Sequence, residues 1–199
     1  MDKHQWNARY LATDRMWSVA PNQFVEAELD SLAPGRALDI AAGEGRNAIW
    51  LATRGWRVTA VDFAKAAIDR GHRVAMESGV SVDWQVADVL TYEPDAEAFD
   101  VALLVYLQLP TEPMKQVLRR AVSALSHGGT LLVVGHDSRN LVDGYGGPQS
   151  AAVLYTPEWV AQQLVDLEIA RAETVERVVV TNDGQRTALD CVVRATRNR

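Results

Sequence analysis

The sequence predicts an α/β fold: a doubly wound, mostly parallel sheet closed by an antiparallel hairpin at its carboxyl-terminal end. Three observations carry this reading. Five compact apolar blocks, RALDIA (36–41), RVTAVD (57–62), VSVDWQVAD (80–88), FDVALLVY (99–106) and GTLLVVGHD (129–137), have the character of strands covered on both faces. Helical patterns separate them at intervals of roughly 20 residues, the rhythm of right-handed strand–helix–strand crossovers. The rhythm then breaks, because AETVERVVV and RTALDCVVRA flank Asn182-Asp183-Gly184, a turn that folds two strands antiparallel.

Ahead of the first strand, NQFVEAELDSL (22–32) sets Val25, Leu29 and Leu32 at helical spacing behind a Pro21-Asn22 start. Gly55 and Gly79 fall where the helices after the first two strands should stop. The clearest helix runs from Pro113 to Ser126, entered through Thr111 as N-cap, with Met114, Val117, Leu118, Ala121 and Leu125 on one stripe. Thr156-Pro157-Glu158 opens a short helix to about Leu167. The connection SRNLVDGYGGPQSAAVLY (138–155) is long and glycine-rich, as functional loops tend to be.

A chain of 199 residues fits one domain, read as an N-terminal helical segment (1–32), a core (36–137), the long loop (138–155) and a final helix and hairpin (156–199). With 48% hydrophobic and 23% charged residues it is neither disordered nor fibrous. A net charge of -6 lacks the field that draws a protein to nucleic acid or anionic membrane, so neither is an expected partner. The longest apolar run, VALLVYL, is too short to span a bilayer, and the lone Cys191 suits a reducing compartment; the expected location is cytoplasmic. His4, His72, His127, His136 and Cys191 lack ligand spacing, so no metal is expected. A monomer or weak homodimer is the default.

The chemistry concentrates in LDIAAGEGRNAIW, Leu38 to Trp50. Its Gly43-x-Gly45-x-x-Ala48 string is one form of the dinucleotide fingerprint, so an NAD(P)-dependent oxidoreductase is one reading. Glu44 argues against it, because a carboxylate between the glycines is a poor neighbour for pyrophosphate at a helix N-terminus. Asp39 lies inside an apolar strand, where an ionised side chain is costly unless compensated, and a ligand ammonium would compensate it. Asp62 closes the second strand, where a carboxylate accepts from both hydroxyls of a ribose. Asp88 closes the third, where it can accept from an exocyclic amine of adenine while the Val89 N–H meets a ring nitrogen. Each acid has helix capping as its plain alternative. Together with the glycine loop they point to an adenosine-type ligand.

The series Asp39-x-x-x-Gly43-x-Gly45, Asp62, Asp88, FDVALLVY and Gly128-Gly129 resembles the class I S-adenosylmethionine-dependent methyltransferases. Their Rossmann-like sheet has seven strands and an antiparallel end. The opening, from WNARYLATDRMW onward, is similar to the small tellurite-resistance and thiopurine methyltransferase-like branch. The resemblance implies S-adenosylmethionine as cofactor and methyl transfer to a small-molecule acceptor, with a non-catalytic cofactor binder as a further reading. It implies that Asp62 holds the ribose, Phe63 covers the adenine, and Asp88 with Val89 reads its edge. The methionyl tail would lie over Ala41 and Gly43, near Asp39 and Val105, with Arg9 or Arg46 on its carboxylate and Trp17 as an aromatic lid. The family pattern usually has glycine where this chain has Ala41. On this reading Asp62→Ala should remove most cofactor affinity while the fold survives.

The acceptor should approach beyond the fourth and fifth strands, among Tyr106, Gln108, His136 and Asp137. His136 is the candidate base, since imidazole takes a proton near neutral pH, and a structural imidazole is its alternative. Asp137 either orients it or caps the following segment. The loop 138–155 is expected to cover the acceptor, with Tyr145 and Tyr155 as apolar contacts.

Overall fold

The computed structural model describes residues 3–13 and 20–198. Two helices, α1 (Lys3–Leu11) and α2 (Gln23–Leu29), precede β1 (Arg36–Ile40), α3 (Arg46–Thr53), β2 (Arg57–Asp62), α4 (Lys65–Glu77) and β3 (Asp83–Val86). Then follow β4 (Phe99–Val105), α5 (Thr111–Ala124), β5 (Leu125–His136), α6 (Asn140–Asp143), α7 (Pro157–Gln163), β6 (Leu167–Thr181) and β7 (Gly184–Arg197). One seven-stranded sheet has the order β3-β2-β1-β4-β5-β7-β6. β7 is antiparallel to both its neighbours and the remaining pairings are parallel, as the hairpin signal predicts. The order reverses direction between β1 and β4, and in open sheets of this kind the ligand crevice lies above the carboxyl ends of the strands at that point. Among the described residues no helix is long and apolar enough to cross a membrane.

Alternation along the strands divides the core. Leu38 and Ile40 of β1 face Met114, Val117 and Leu118 of α5 and Val160 of α7. Ala37 faces the other way, with Phe24, Val25 and Leu29 of α2 and Ala48 and Leu51 of α3. Leu132, Val134 and Val192 join that second layer. Because side chains repeat with period two, Asp39, His136 and Asp190 project from this same face. Strand parity therefore gathers three polar side chains on one side of the sheet, at its carboxyl edge.

Boundaries differ from the sequence reading where a backbone feature overrides the pattern. α2 stops at Leu29, and the Leu32 N–H closes a turn onto Leu29 O at 3.0 Å instead of extending the helix. Thr111 is not the N-cap of α5; Pro110, in an extended conformation, occupies that place and its carbonyl accepts from Met114 N–H at 3.0 Å. β5 begins at Leu125, four residues before the glycine pair's end, because Leu125 pairs with Phe99 across a register shift. α7 ends at Gln163 and β6 begins at Leu167, before AETVERVVV. Gly55 and Gly79 do end their helices in the left-handed region, at φ of 87° and 69°.

Ala41, directly after β1, has φ of 61°. An L-residue there pays roughly 1–2 kcal/mol that glycine does not, offset by the roughly 0.4–1 kcal/mol of unfolded-chain entropy that glycine adds. Ala41→Gly is expected to be neutral to stabilising by about 1 kcal/mol in denaturant melts. A clear loss of stability would show that the Ala41 methyl packs productively.

Candidate cofactor and acceptor site

The loop from β1 to α3 is coiled by three left-handed residues, Ala41, Gly43 and Gly45. It is pinned from the end of β2: Asp62 Oδ2 accepts from the Gly43 N–H and Oδ1 from the Ala64 N–H, both at 2.8 Å. Burial nonetheless keeps the Asp62 carboxyl above the usual range, the two N–H groups only moderating that. Gly45 is required by close packing as well as by φ, since a Cβ would lie 2.2 Å from the Trp84 ring. Glu44 forms a buried ion pair with Arg70 of α4, and Arg70 also donates to the Tyr10 and Thr13 carbonyls at 2.9 and 2.6 Å. Its charge is thus balanced, and the sequence argument that Glu44 repels a pyrophosphate loses its force.

Asp39 is the anomaly of this half. It is only 1% exposed. Its carboxyl receives a hydrogen bond from the Ala48 backbone, yet Oδ2 has no partner among the described residues. Burial pushes its pKa up to about 7, against the lowering influence of Ala48 and of the Arg46 charge. Arg46 opens α3, and burial lowers its own pKa against the opposing influence of Tyr106 and Asp39. Of the two sequence candidates for a carboxylate donor, Arg46 therefore shares the field of the crevice. Arg9 lies on the exposed side of α1, 5.2 Å over the Trp6 ring.

α1 packs on α4: Asn7 Oδ1 accepts from Ala66 N–H at 2.9 Å, and Tyr10, Ala64 and Ala67 form a small cluster with Trp6 and Phe63. Phe63 is half-buried there, one residue beyond Asp62. Trp17, the expected lid, lies outside the described residues. Asp88 is exposed and its Oδ1 accepts from Leu90 N–H at 2.9 Å, closing a turn in place of the expected alternative of a helix cap, since no helix follows it. Val89 is buried in the core and Val105 packs beside Tyr106.

At the other end of the crevice stands a constellation that the sequence reading half missed. Tyr106, at φ of 58°, donates from its hydroxyl to Asp190 Oδ2 at 2.8 Å. Arg177 Nε donates to the same oxygen at 2.5 Å, and His136 Nδ1 lies 3.3 Å from Oδ1. Asp190 is completely buried; burial raises its pKa, but the approach of His136 and the hydrogen bonds from Arg177 and Tyr106 outweigh this and hold it below the usual range. The Tyr106 hydroxyl is pushed well up by burial and by Asp190. Asp190 had a legible signal, since TALDCVV buries a carboxylate in an apolar strand just as RALDIA does. Arg177 had none: only the β6–β7 pairing brings it there.

At this end one open alternative is decided and one expectation is corrected. Asp137 does not orient His136; its carboxylate accepts from the Arg139 N–H at 2.8 Å and from Thr174 Oγ1, so it caps the following segment. Tyr155 is no acceptor contact, because its ring is buried against Gly135 and its hydroxyl donates to Leu107 O at 3.2 Å. Tyr145 remains on the exposed part of the loop, and Gln108 Nε2 ties that loop down through Val153 O at 3.4 Å. Gly147, at φ of 76°, lies so close over the His136 ring that a Cβ would sit 2.8 Å from its carbons.

Residues 37–129 match the family model described as a methyltransferase domain. Over its whole length the chain superposes on N-methyltransferase NodS of Bradyrhizobium japonicum WM9, solved with S-adenosyl-L-homocysteine, with a TM-score of 0.74, 21% identity and complete coverage of both chains. TehB of Haemophilus influenzae gives 0.74 at 18% identity, covering 100% of this chain and 68% of that one. The fold is that of the class I methyltransferases. Among curated relatives, the ubiquinone biosynthesis O-methyltransferase of Marinobacter nauticus is 32% identical over 106 residues, 52% of this chain and 44% of its own. The demethylmenaquinone methyltransferase of Clavibacter sepedonicus is 29% identical over 124 residues, 62% and 48%. The chain spans about half the length of the curated relatives it matches.

The two carboxylates of the cofactor half give separate predictions. Asp62→Ala leaves two buried N–H groups without an acceptor, at roughly 1–3 kcal/mol each; contrary to the sequence expectation, it should lower the thermal midpoint as well as ligand affinity, while Asp62→Asn, which keeps acceptor oxygen on one side, should lose less stability. Asp39 carries the pH dependence. Between its ordinary value of 3.8 and about 7 the folded state keeps a proton that the unfolded state has lost, so its contribution to stability falls as pH rises through that window. Asp39→Asn should remove up to about 4 kcal/mol of that fall between pH 4 and pH 8, seen as a flatter plot of unfolding free energy against pH. Parallel plots for the two proteins would contradict the assignment.

Proposed function

We propose that this protein is an S-adenosylmethionine-dependent methyltransferase acting on a small-molecule acceptor. The observation that carries the reading is the buried Asp39 Oδ2, without a partner among the described residues, set beside the pinned glycine loop at the carboxyl edge of a sheet that ends antiparallel. A cationic amino group supplies the donor that this oxygen lacks. The pyrophosphate of a dinucleotide would bring further negative charge to it. The residues present therefore fit the amino-acid end of S-adenosylmethionine better than a second nucleotide.

In this reading Asp62 accepts from the ribose hydroxyls with the lone pairs left free by Gly43 and Ala64. Phe63 covers the adenine, Asp88 and Val89 meet its edge, Arg46 holds the methionyl carboxylate and Asp39 the ammonium, with Ala41, Gly43 and Val105 lining the tail. When bound, S-adenosylmethionine supplies a methyl group made electrophilic by its sulfonium centre. The chain's own contribution is alignment: fixing two reactants in near-attack geometry is worth on the order of 7–11 kcal/mol. Gly147 and the loop around it cover the acceptor end and exclude water from it.

The likeness to TehB and to the N-methyltransferase NodS supports a place in the tellurite-resistance and thiopurine methyltransferase-like branch. Net charge of -6 favours a small acceptor over nucleic acid, and the buried thiol of Cys191 fits the cytoplasm. Parallel thermal melts test the cofactor. At one hundred times its dissociation constant a ligand raises stability by about 2.7 kcal/mol, so S-adenosylmethionine and S-adenosylhomocysteine should raise the midpoint and NADH should not. A shift with NADH alone would overturn the reading.

A further inference from the structure

Resting on that methyltransferase reading, we propose that Asp190 is a positioning residue that holds His136 with its proton on Nδ1, leaving Nε2 as the base for an acceptor that must lose a proton: a hydroxyl, amine or thiol. The register of the sheet makes the pair. His136 and Asp190 are direct cross-strand partners between β5 and β7, and both side chains project from the face that carries Asp39.

Three charged or titratable groups face the imidazole, from β7, β6 and the segment after β4, and they bond to one another. From β7, Asp190 is fully buried; its Oδ2 accepts from Arg177 Nε and Tyr106, and Arg177 Nη2 reaches its Oδ1 at 3.5 Å, the oxygen that also faces His136. From β6, Arg177 is held by that ion pair and lies 5.7 Å over the Tyr106 ring. Beyond β4, the Tyr106 hydroxyl proton goes to Asp190, and the Asn22 side chain also reaches that hydroxyl. From the loop, Gly147 brings only backbone against the ring. Tyr106, Arg177 and Asp190 are therefore occupied with one another.

His136 differs. Its Nδ1 is buried and has no aligned hydrogen-bond partner among the described residues, and the nearest charged atom is Asp190 Oδ1 at 3.3 Å. A bare nitrogen lone pair facing a carboxylate is repelled, whereas an N–H facing it is attracted, so the carboxylate selects the Nδ1–H form. The lone pair then resides on Nε2. Tyr106 holds the other side of the arrangement, its ring centroid 5.0 Å from that of His136, in a left-handed backbone conformation that a bulky residue adopts only when its surroundings impose it. Asp190 keeps its charge throughout, because Arg177 neutralises it, and is ready to stabilise the imidazolium that forms.

The step balances simply. The acceptor's X–H proton passes to His136 Nε2 as X forms its bond to the methyl carbon. The carbon–sulfur bond breaks with its electron pair going to sulfur, which leaves as a neutral thioether. The imidazolium then returns the proton to solvent. An acceptor already deprotonated would have no use for such a base.

Long-range proton–nitrogen correlation spectra of the nitrogen-15-labelled full chain at pH 8 read the tautomer without any acceptor, with the His136→Asn variant assigning the ring. The expected result is Nδ1–H with Nε2 unprotonated. In Asp190→Asn the ratio should shift toward Nε2–H by about tenfold, the order expected for a carboxylate facing the ring nitrogen at 3.3 Å, and Asp190→Glu should restore part of the preference. Should Asp190→Asn not fold, Arg177→Gln, which leaves the carboxylate in place, should keep the Nδ1–H form. An Nε2–H imidazole in the unaltered protein overturns the inference outright, as does an unchanged ratio in folded Asp190→Asn. Calorimetric titration of the same sample with S-adenosylhomocysteine separates the two levels. Binding together with the wrong tautomer removes this inference alone, and absence of binding removes the methyltransferase reading on which it stands.

Discussion

Among the described residues, four aspartates lie almost wholly inside the carboxyl edge of one sheet, and each must be compensated where water cannot do it. Asp39, Asp62, Asp137 and Asp190 range from 0% to 8% exposed. Asp62 is met by two backbone N–H groups, Asp137 by Arg139 and Thr174, and Asp190 by Arg177, Tyr106 and the near approach of His136. Asp39 receives a hydrogen bond from the Ala48 backbone, and its Oδ2 has no partner among the described residues. That inequality organises the crevice. Three acids are parts of the scaffold that shapes it, and the fourth is left for what enters.

The two ends of the crevice are built by different means. In the proposed reading the cofactor end is mostly local: β1, the coiled loop and the start of α3 are contiguous, and the next strand–helix–strand unit supplies Asp62, Arg70 and Trp84 to fix the loop. The acceptor end is assembled from far apart in the chain. Tyr106 follows β4, His136 ends β5, Arg177 belongs to β6 and Asp190 to β7, and only the antiparallel closing hairpin brings the last two beside the first two. In the proposed reading the hairpin is therefore part of the acceptor site as well as the edge of the sheet. A parallel final strand would have carried Asp190 toward the opposite end.

This difference explains what could be read from the residues alone. Strand blocks, the left-handed helix stops at Gly55 and Gly79, and the Asn182-Asp183-Gly184 turn are local signals with local causes, and the structure follows them. Asp39, Gly43 and Asp62 were legible as a set because their spacing lies within one strand–helix–strand unit. Thr111 gave way to Pro110 as the start of α5 because a proline in an extended conformation sets the boundary more firmly than a hydroxyl does. The role of Asp137, the burial of Tyr155 and the ion pair of Glu44 with Arg70 all depend on contacts between distant segments. No short window of sequence contains them. Arg177 is the clearest such case, for in AETVERVVV it reads as one polar position on a strand. Asp190 was within reach, since the argument applied to Asp39 in RALDIA applies unchanged to TALDCVV.

A crystal structure of the full chain grown with S-adenosylhomocysteine and then soaked in NADH puts the central claim to the most direct trial. The account predicts density for an adenosine between Asp62 and Asp88, with an amino group as the missing donor to Asp39 Oδ2, and no displacement by the dinucleotide. A pyrophosphate lodged against Gly43 and Gly45, or an amino-acid tail that leaves the Asp39 oxygen without a partner, would contradict it.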